Sequence, residues 1–510
     1  MTDRTHRGIT LFVAGVYAIL VLLTQLGSVS REIINWDEST FMLLGADILD
    51  GILPYTERFD NKPPMIFFLM GGWMGLFGET VLSARLFGDA CLWLTAIFVF
   101  LIGRRMAGPL AAGAAGGLFI AMNAVEPGLH SSAGLPAMAM MMAALWLCLA
   151  WRDRVWAMVL AGALVSLAVL TRSNLAYAAL ASGLWFALVG FWRPGTGRLF
   201  RWSPFAYAAG GAIPVAALVL VYAQAGALAE LKLGAVDVAL SYSKQWGLAN
   251  AFVEHLRKWA EAVKAAPVLY GSFTLVTGLA LVLTLLPPLQ ERPSRLGGHD
   301  WAILWVFTLS ILYSILKSGA VYTYYWQQFL PLAPLLVADM LARNPGRLAL
   351  RRAGLGLVGA AVGAGLVQTV PETVRVLSVP GYMTARYDVR AAAGMLRTTM
   401  QPGDRIWALD RHLILLYLDQ PSLSPILAHP SNITRQAILE PLAAHGYVAP
   451  DELQRVMASL PEFIVSNGHG HLFYFDDQSV IDSYLERNYH LIFATPLVTV
   501  YRLNAAAPAQ

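Results

Sequence analysis

About eleven apolar runs, most of them near the roughly 20 residues that a helix needs to cross a bilayer, follow one another through residues 1–370. The whole sequence is 57% hydrophobic and 13% charged, whereas a soluble domain is about 25% charged. The chain is therefore predicted to be an α-helical polytopic membrane protein. The runs lie near residues 9–29, 81–102, 107–124, 134–151, 155–171, 174–192, 204–224, 267–287, 301–317, 326–342 and 352–370.

A shorter apolar segment at 65–78, which opens with Pro63-Pro64, decides the predicted topology. Lys and Arg concentrate in the cytoplasmic loops of membrane proteins. If 65–78 does not cross, the arginine clusters between later runs are all cytoplasmic, and the outer loops near 125–133 and 318–325 contain no Lys or Arg. If it crosses, every later cluster moves outside. We therefore predict about eleven spans, an uncleaved first span with a cytoplasmic N-terminus, and an interfacial or re-entrant helix at 65–78.

This topology places three regions on the outer side of the membrane, namely 31–80, 225–266 and everything after about 371. In the last region charge density rises and turn signals recur. Strands that alternate with helices indicate a small α/β domain. We therefore divide the chain into a membrane domain at 1–370 and an extracytoplasmic α/β domain at 371–510. The predicted strands are Arg405–Leu409, Phe463–Ser466 and Leu497–Tyr501, and the predicted helices are 388–400, 451–459 and 478–487.

Two adjacent carboxylates, Asp37 and Glu38, follow the first span. They are either interfacial charges at the start of a helix near Ser39 or part of an active site. An active-site carboxylate would act as a general base on an acceptor hydroxyl, which requires a partly desolvated position. Adjacent carboxylates point in different directions at a helix start, so only one of the two is expected to act as the base. Asp37 is the preferred candidate.

Lys62 is the second candidate in this outer region. Its side chain could extend to the lipid headgroups, but Pro63 and Pro64 directly after it stiffen the backbone and would fix its ammonium group. A fixed cation stabilises the charge that develops on a departing phosphate. A carboxylate and such a cation on one side of the membrane indicate chemistry on a lipid-carried phosphate.

Further candidates lie at the outer ends of later spans. Arg172, in a tight turn between two spans, is either an interfacial anchor or a phosphate contact. The run from Tyr322 to Gln328 holds three tyrosines and two glutamines, more than an aromatic belt requires. This composition favours a site for a sugar or a phosphate, and its candidates are Tyr322, Tyr325 and Gln328.

Other polar residues are given no role in chemistry. Arg85 and Asp89, four residues apart, are predicted to pair on one helix face. His469 and His471 have too few nearby ligands for a metal site. The two cysteines lie in different apolar runs, so no disulfide is expected. The net charge of +4 is too small and too scattered to indicate nucleic acid.

As a set, these residues resemble the bacterial glycosyltransferase family 39, the group of protein mannosyltransferases and aminoarabinose transferases. The resemblance covers the membrane part of the chain, and the tail only through its layout. One position departs from the family pattern. Many members carry an acidic residue before the fourth span, where this chain has Ala133-Gly-Leu-Pro136. The matching motifs are Trp36-Asp-Glu38, Lys62-Pro-Pro64, Ser83-Ala-Arg-Leu86, Gly103-Arg-Arg105 and Tyr325 to Pro334.

The resemblance implies a GT-C fold, a polyprenyl-phosphate sugar donor, inversion at the anomeric carbon and chemistry at the outer face of a bacterial inner membrane. It assigns Asp37 as the base and Lys62 as a contact to the donor phosphate. No cofactor is assigned, and a divalent metal lacks support. The acceptor stays open between lipid A or core oligosaccharide, a cell-wall polymer, another lipid and protein hydroxyls.

A transporter or flippase of lipid-linked sugars is the rival class. Transporters bury their ionisable residues near the middle of the bilayer and interrupt the helices there. In this chain the notable charges crowd the outer edge and a sizeable outer domain follows. The sequence therefore favours an enzyme over a transporter.

Overall fold

The structure is a computed structural model, and it describes residues 3–124, 131–192, 202–243, 248–286, 290–317, 321–427, 429–467 and 477–504. Apolar helices dominate it. Eight described segments are long and apolar enough to cross a membrane. They are Arg7–Ser30, Val81–Ala107, Gly134–Trp151, Ser173–Gly190, Ser203–Gln224, Pro267–Leu285, Gly298–Lys317 and Leu348–Ser378.

The three other predicted spans are shorter helices. Pro109–Met122 has 14 residues, Val155–Thr171 has 17 and Ala333–Arg343 has 11. The last of these is short because the run predicted at 326–342 is split, since its first part belongs to the 3₁₀ helix Thr323–Gln328. Prolines in the linking segment cannot donate the backbone hydrogen bonds of a continuous helix. The segment predicted at 65–78 is a 13-residue helix, Met65–Phe77.

Backbone contacts divide the chain into two compact units. The first unit comprises Met1–Ser28, Arg85–Leu218 and Gln245–Pro380, and the second comprises Val29–Ala84, Val219–Lys244 and Gly381–Gln510. The second unit therefore gathers parts of all three regions that the arginine pattern predicts on one side of the membrane. The chain passes into its last segment ten residues after the domain boundary predicted at 370.

Glycines let helices of the first unit approach each other closely. A Cβ atom at Gly162 would lie 1.9 Å from the carbonyl oxygen of Tyr207, and one at Gly210 would lie 1.9 Å from that of Val159. The backbone of the Val155–Thr171 helix therefore packs against the backbone of the Ser203–Gln224 helix, as small residues allow in membrane helices. This unit also contains the short helix Ser173–Leu175, the helix Ala176–Trp192 and the amphipathic helix Leu248–Ala265.

The second unit begins with two helices from the loop that follows the first span. The first loop helix, Trp36–Leu49, is buried on nearly all sides. It packs against the second loop helix, Met65–Phe77, where a Cβ atom at Gly71 would lie 2.6 Å from the carbonyl oxygen of Gly45. The unit's other helices are Leu228–Lys232, Val238–Ser243, Asp388–Thr399, Leu413–Leu418, Gln436–Ala444, Glu452–Ala458 and Asp477–Asn488, with turns of other helix types at Leu233–Asp237 and Pro430–Ile433.

A four-stranded sheet lies in the C-terminal segment of the second unit. Its strands are β1 (Ile406–Ala408), β2 (Phe463–Ser466), β3 (Tyr489–Ala494) and β4 (Thr499–Leu503), in the order β1-β2-β4-β3. β1 and β2 pair in parallel, and the other pairs are antiparallel. Helices connect and flank these strands, so the predicted α/β character of the tail is confirmed. β3 is the strand that the sequence pattern missed.

Candidate active site

The first loop helix begins at Trp36, three residues before the predicted start. Asn35 caps it, because its side-chain oxygen accepts a hydrogen bond from the Asp37 N–H at 2.9 Å. Asp37 and Glu38 therefore lie in the first turn, where the helix dipole favours carboxylates. Glu38 is buried, whereas the Asp37 side chain stays 15% exposed. Of the two acids, Asp37 is the one that a substrate can reach more easily.

Asp37 and Lys62, 25 residues apart in sequence, are in contact. The Lys62 Nζ lies 3.2 Å from Asp37 Oδ1 and 3.1 Å from Asn61 Oδ1, and donates to both. A third oxygen, Asp60 Oδ1, lies 3.6 Å from the same Nζ. The structure thus joins the two leading sequence candidates in one cluster and adds Asp60, which the sequence analysis did not single out. We call Asp37, Asp60, Asn61 and Lys62 the Lys62 cluster.

The backbone of Lys62 is fixed on both sides. Its N–H donates to Asp60 Oδ1 at 2.8 Å, and its carbonyl oxygen accepts a hydrogen bond from the Tyr55 hydroxyl. Tyr55 is fully buried, and its ring packs where a Cβ atom at Gly234 would lie, 2.5 Å from a ring carbon. These contacts act together with the two prolines that follow Lys62. The backbone of Lys62 therefore has several independent restraints, as expected if its ammonium group is fixed in position.

The C-terminal segment pairs with the loop that carries Lys62. The Phe59 N–H donates to the Pro425 carbonyl at 2.7 Å, and the Leu427 N–H donates to the Phe59 carbonyl at 2.9 Å. Arg58 adds a hydrogen bond to the Gln420 carbonyl at 3.0 Å. Residues distant in sequence thereby hold the loop in place. This pairing also brings His429 to the start of the first loop helix.

His429 packs edge-on against Trp36, with ring centroids 4.5 Å apart. Its Nδ1 accepts a hydrogen bond from the Ser431 N–H at 3.1 Å. Burial lowers the pKa of His429 to about 4, with the Arg435 charge adding to this and Asp37 opposing it. The imidazole is therefore neutral at ordinary pH, and its hydrogen is on Nε2. The sequence showed His429 only as part of a turn.

Asp60 is completely buried. Burial raises the pKa of its carboxyl group, while the nearby charge of Lys62 opposes that rise and the charge of Asp37 adds to it. Its Oδ2 has no hydrogen-bond partner among the described residues. A buried carboxylate oxygen without a donor is costly, so Asp60 depends on Lys62 as its counter-charge.

A second group of predicted residues meets in the first unit. The Arg172 guanidinium lies 4.3 Å from the Tyr325 ring centroid and 5.6 Å from that of Tyr324. Tyr322 stacks at 5.3 Å from Tyr324 and 6.2 Å from Tyr325. Arg172 is buried, so these cation–π contacts lie away from bulk water. We call these residues the Arg172 cluster.

Gln328 joins the turn that carries Arg172. The Asn174 side-chain amide donates to Gln328 Oε1 at 2.9 Å and to Ser314 Oγ at 3.1 Å. Gln328 is fully buried, and its Nε2 has no hydrogen-bond partner in the part of the chain that the structure describes. The predicted residues Arg172, Tyr322, Tyr325 and Gln328 thus lie in one region of the first unit.

No group of three metal-ligating side chains occurs among the described residues. At the position of the family's acidic residue, the buried Leu135 offers no ligand. Both histidines of the rejected metal candidate, His469 and His471, lie outside the described residues. Arg85 and Asp89 are both buried on the Val81–Ala107 helix, and their pairing stays a prediction.

Residues 61–222 match the family model of dolichyl-phosphate-mannose-protein mannosyltransferase, a range that includes Lys62 and Arg172. No curated protein matches the chain. Among solved structures, ArnT from Cupriavidus metallidurans bound to undecaprenyl phosphate is 14% identical, with a TM-score of 0.65 and 100% of both chains covered. The same protein in the apo state gives 14% identity, a TM-score of 0.62 and 98% coverage of each chain.

The membrane helices and the match to ArnT show that the chain has the GT-C fold, and part of the membrane region matches a mannosyltransferase family model. The resemblance to protein mannosyltransferases and aminoarabinose transferases, drawn from the sequence motifs, is thereby confirmed.

Proposed function

We propose that the protein is an inverting glycosyltransferase that moves a sugar from a polyprenyl-phosphate donor to a hydroxyl group at the outer face of the bacterial inner membrane. The contact between Asp37 and Lys62 carries this proposal, since it joins a candidate base to a candidate phosphate cation at 3.2 Å. Both side chains are partly exposed, so substrates can reach them. The undecaprenyl phosphate bound to ArnT supports a lipid-phosphate donor.

In this proposal Asp37 removes the proton of the acceptor hydroxyl. The hydroxyl oxygen then forms a bond to the anomeric carbon as the bond from that carbon to the phosphate oxygen breaks. The electron pair of that bond remains on the polyprenyl phosphate, where Lys62 stabilises the added negative charge. Phosphate is a good leaving group, so no separate acid is needed. Asp37 afterwards returns its proton to water.

Glu38 is the second candidate for the base, since it directly follows Asp37 in the first turn of the helix. The Arg172 cluster is assigned to the donor, with Arg172, Tyr322, Tyr325 and Gln328 as contacts to its sugar or phosphate. A guanidinium beside aromatic faces and amide groups suits a ligand with both hydroxyl groups and negative charge.

We propose the outer face because of the arginine pattern. The second unit supports this, because it combines parts of the three regions that this pattern places on one side of the membrane. Lipid A or another envelope glycan is the acceptor we favour. The match to a protein mannosyltransferase model favours protein hydroxyls as the alternative acceptor.

Mass spectrometry of envelope glycolipids from a deletion strain and its parent tests the proposal. We expect one glycan to lose one sugar residue, and a plasmid with the wild-type gene to restore it. A gene with Asp37→Asn should not restore it, whereas one with Asp50→Asn should, because Asp50 is exposed at the other end of the same helix. An unchanged set of glycolipids, together with unchanged envelope glycoproteins, would contradict the proposal.

A further inference from the structure

In the structure, Lys62, which is proposed to bind the donor phosphate, is hydrogen-bonded to Asp37, which is proposed to act as the base. The Lys62 ammonium donates to Asp37 Oδ1. A carboxylate oxygen that accepts a hydrogen bond from an ammonium group is less available to accept a proton. Asp37 and Lys62 therefore cannot perform their proposed roles while they remain bonded to each other.

Asp60 differs from Asp37 in its relation to Lys62. Asp60 is completely buried, so no substrate reaches it, whereas the Asp37 side chain is partly exposed. One Asp60 oxygen both accepts the Lys62 N–H and lies 3.6 Å from its Nζ. Asp60 thus restrains the backbone and the charge of Lys62 from the protein side, and Asp37 contacts it from the side open to a ligand.

We propose that the donor phosphate takes Lys62 from Asp37, and that Asp60 is the positioning residue that keeps Lys62 in place during this exchange. The inference rests on the proposed function. The exchange frees the Asp37 carboxylate only when the donor is bound. Proton removal from the acceptor therefore follows donor binding.

The surrounding charges are consistent with such an exchange. Lys62 and Asp60 face Asp37 from the loop. Glu38 lies beside Asp37 on the first loop helix. The C-terminal segment contributes His429, which is neutral, and Arg435 beyond it. Two carboxylates of the Lys62 cluster thus share one cation, and an incoming phosphate competes with the more exposed of them. Because the phosphate gains negative charge during transfer, its attraction to the Lys62 ammonium group increases as the reaction proceeds.

Binding of undecaprenyl phosphate to the purified full-length protein in lipid nanodiscs tests the exchange without knowledge of sugar or acceptor. Asp37→Asn removes the competing charge, so we expect affinity to rise by up to about fivefold, the upper end of the range for an exposed ion pair. Lys62→Ala should lower it by at least a similar factor. In the double variant, Asp37→Asn should add nothing, because its effect acts through Lys62. Asp50→Asn, which removes an exposed acid at the end of the same helix, should leave affinity unchanged.

The role of Asp60 is tested by two substitutions. Asp60→Asn keeps an oxygen that accepts the Lys62 N–H, whereas Asp60→Ala removes it. We expect Asp60→Ala to lower the affinity for undecaprenyl phosphate, and Asp60→Asn to restore it to the wild-type level or above. Equal affinities of the two folded variants would overturn the positioning role, and thermal unfolding of each variant shows which ones are folded.

The outcomes separate this inference from the proposed function. If the wild-type protein binds undecaprenyl phosphate but Asp37→Asn binds it no more tightly, the exchange is wrong while the lipid donor stands. If the wild-type protein does not bind this lipid at all, the lipid-phosphate donor fails as well.

Discussion

Glu32 connects the loop that follows the first span to the C-terminal segment, and its loss is expected to loosen the support of Asp37. Its buried carboxylate accepts hydrogen bonds from the N–H groups of Val389 at 2.7 Å and Arg390 at 2.9 Å. These amides belong to the first turn of the Asp388–Thr399 helix, where N–H groups have no partner within the helix. Each buried N–H left without an acceptor costs about 1–3 kcal/mol, so the loss of both contacts in Glu32→Ala should lower stability by about 2–6 kcal/mol.

The same carboxyl group should make the stability of this contact depend on pH. Burial raises the pKa of Glu32 from 4.5 to about 7, although the two N–H groups oppose the rise. The folded protein therefore binds the proton more tightly than the unfolded chain does. This stabilisation is complete below pH 4.5 and disappears as pH rises through about 7. The difference in pKa corresponds to an upper limit of about 3 kcal/mol.

Hydrogen exchange of the Val389 and Arg390 amides, corrected for intrinsic rates, measures both effects. Protection in the wild-type protein should fall between pH 5 and pH 8. In Glu32→Gln, which cannot ionise, it should stay level, and in Glu32→Ala it should be low at both values. The same fall in Glu32→Gln as in the wild type would refute the assignment of the pH dependence to Glu32.

Three further predictions concern other parts of the molecule. Gly71→Ala should lower the unfolding temperature, because its Cβ atom would lie 2.6 Å from the Gly45 carbonyl oxygen and overpacking costs about 1–3 kcal/mol; Gly72→Ala, with nothing within 4 Å, should not. Arg172→Ala should weaken donor binding and lose about 0.5–2 kcal/mol of cation–π energy, and Tyr325→Leu should reproduce part of this loss whereas Tyr325→Phe should not. A reporter enzyme fused after Gln401 should be found outside the cytoplasm. A cytoplasmic reporter would contradict the predicted topology.

Much of the fold could be predicted because its signals are local. Apolar runs of spanning length, and strands and helices in the tail, each depend on a few consecutive residues. The start of the first loop helix was also available locally, since Asn35 is a good cap before an acidic turn. The run at 326–342 was counted as one span although Pro331 and Pro334 lie within it. Prolines there separate a 3₁₀ helix from a shorter α-helix.

The contact between Asp37 and Lys62 was foreseeable because both follow the first span on one side of the membrane. The places of Asp60 and His429 were not. His429 reaches Trp36 because Phe59 pairs with Ile426, a contact between distant segments that no local pattern encodes. Asp60 looks like an ordinary loop acid in the sequence, and only its complete burial beside Lys62 distinguishes it.

Transfer by the Asp37→Asn protein is the most direct test of the account. The substitution keeps the shape of the side chain but removes its basic carboxylate. General-base catalysis contributes typically about 10²- to 10⁴-fold in rate. Once the missing sugar is known from the deletion strain, single-turnover transfer with saturating donor should fall by that factor. Binding of the donor should survive, and the exposed-site control Asp50→Asn should transfer at the wild-type rate. A folded Asp37→Asn protein with full activity would remove Asp37 from the mechanism and leave Glu38 as the candidate base.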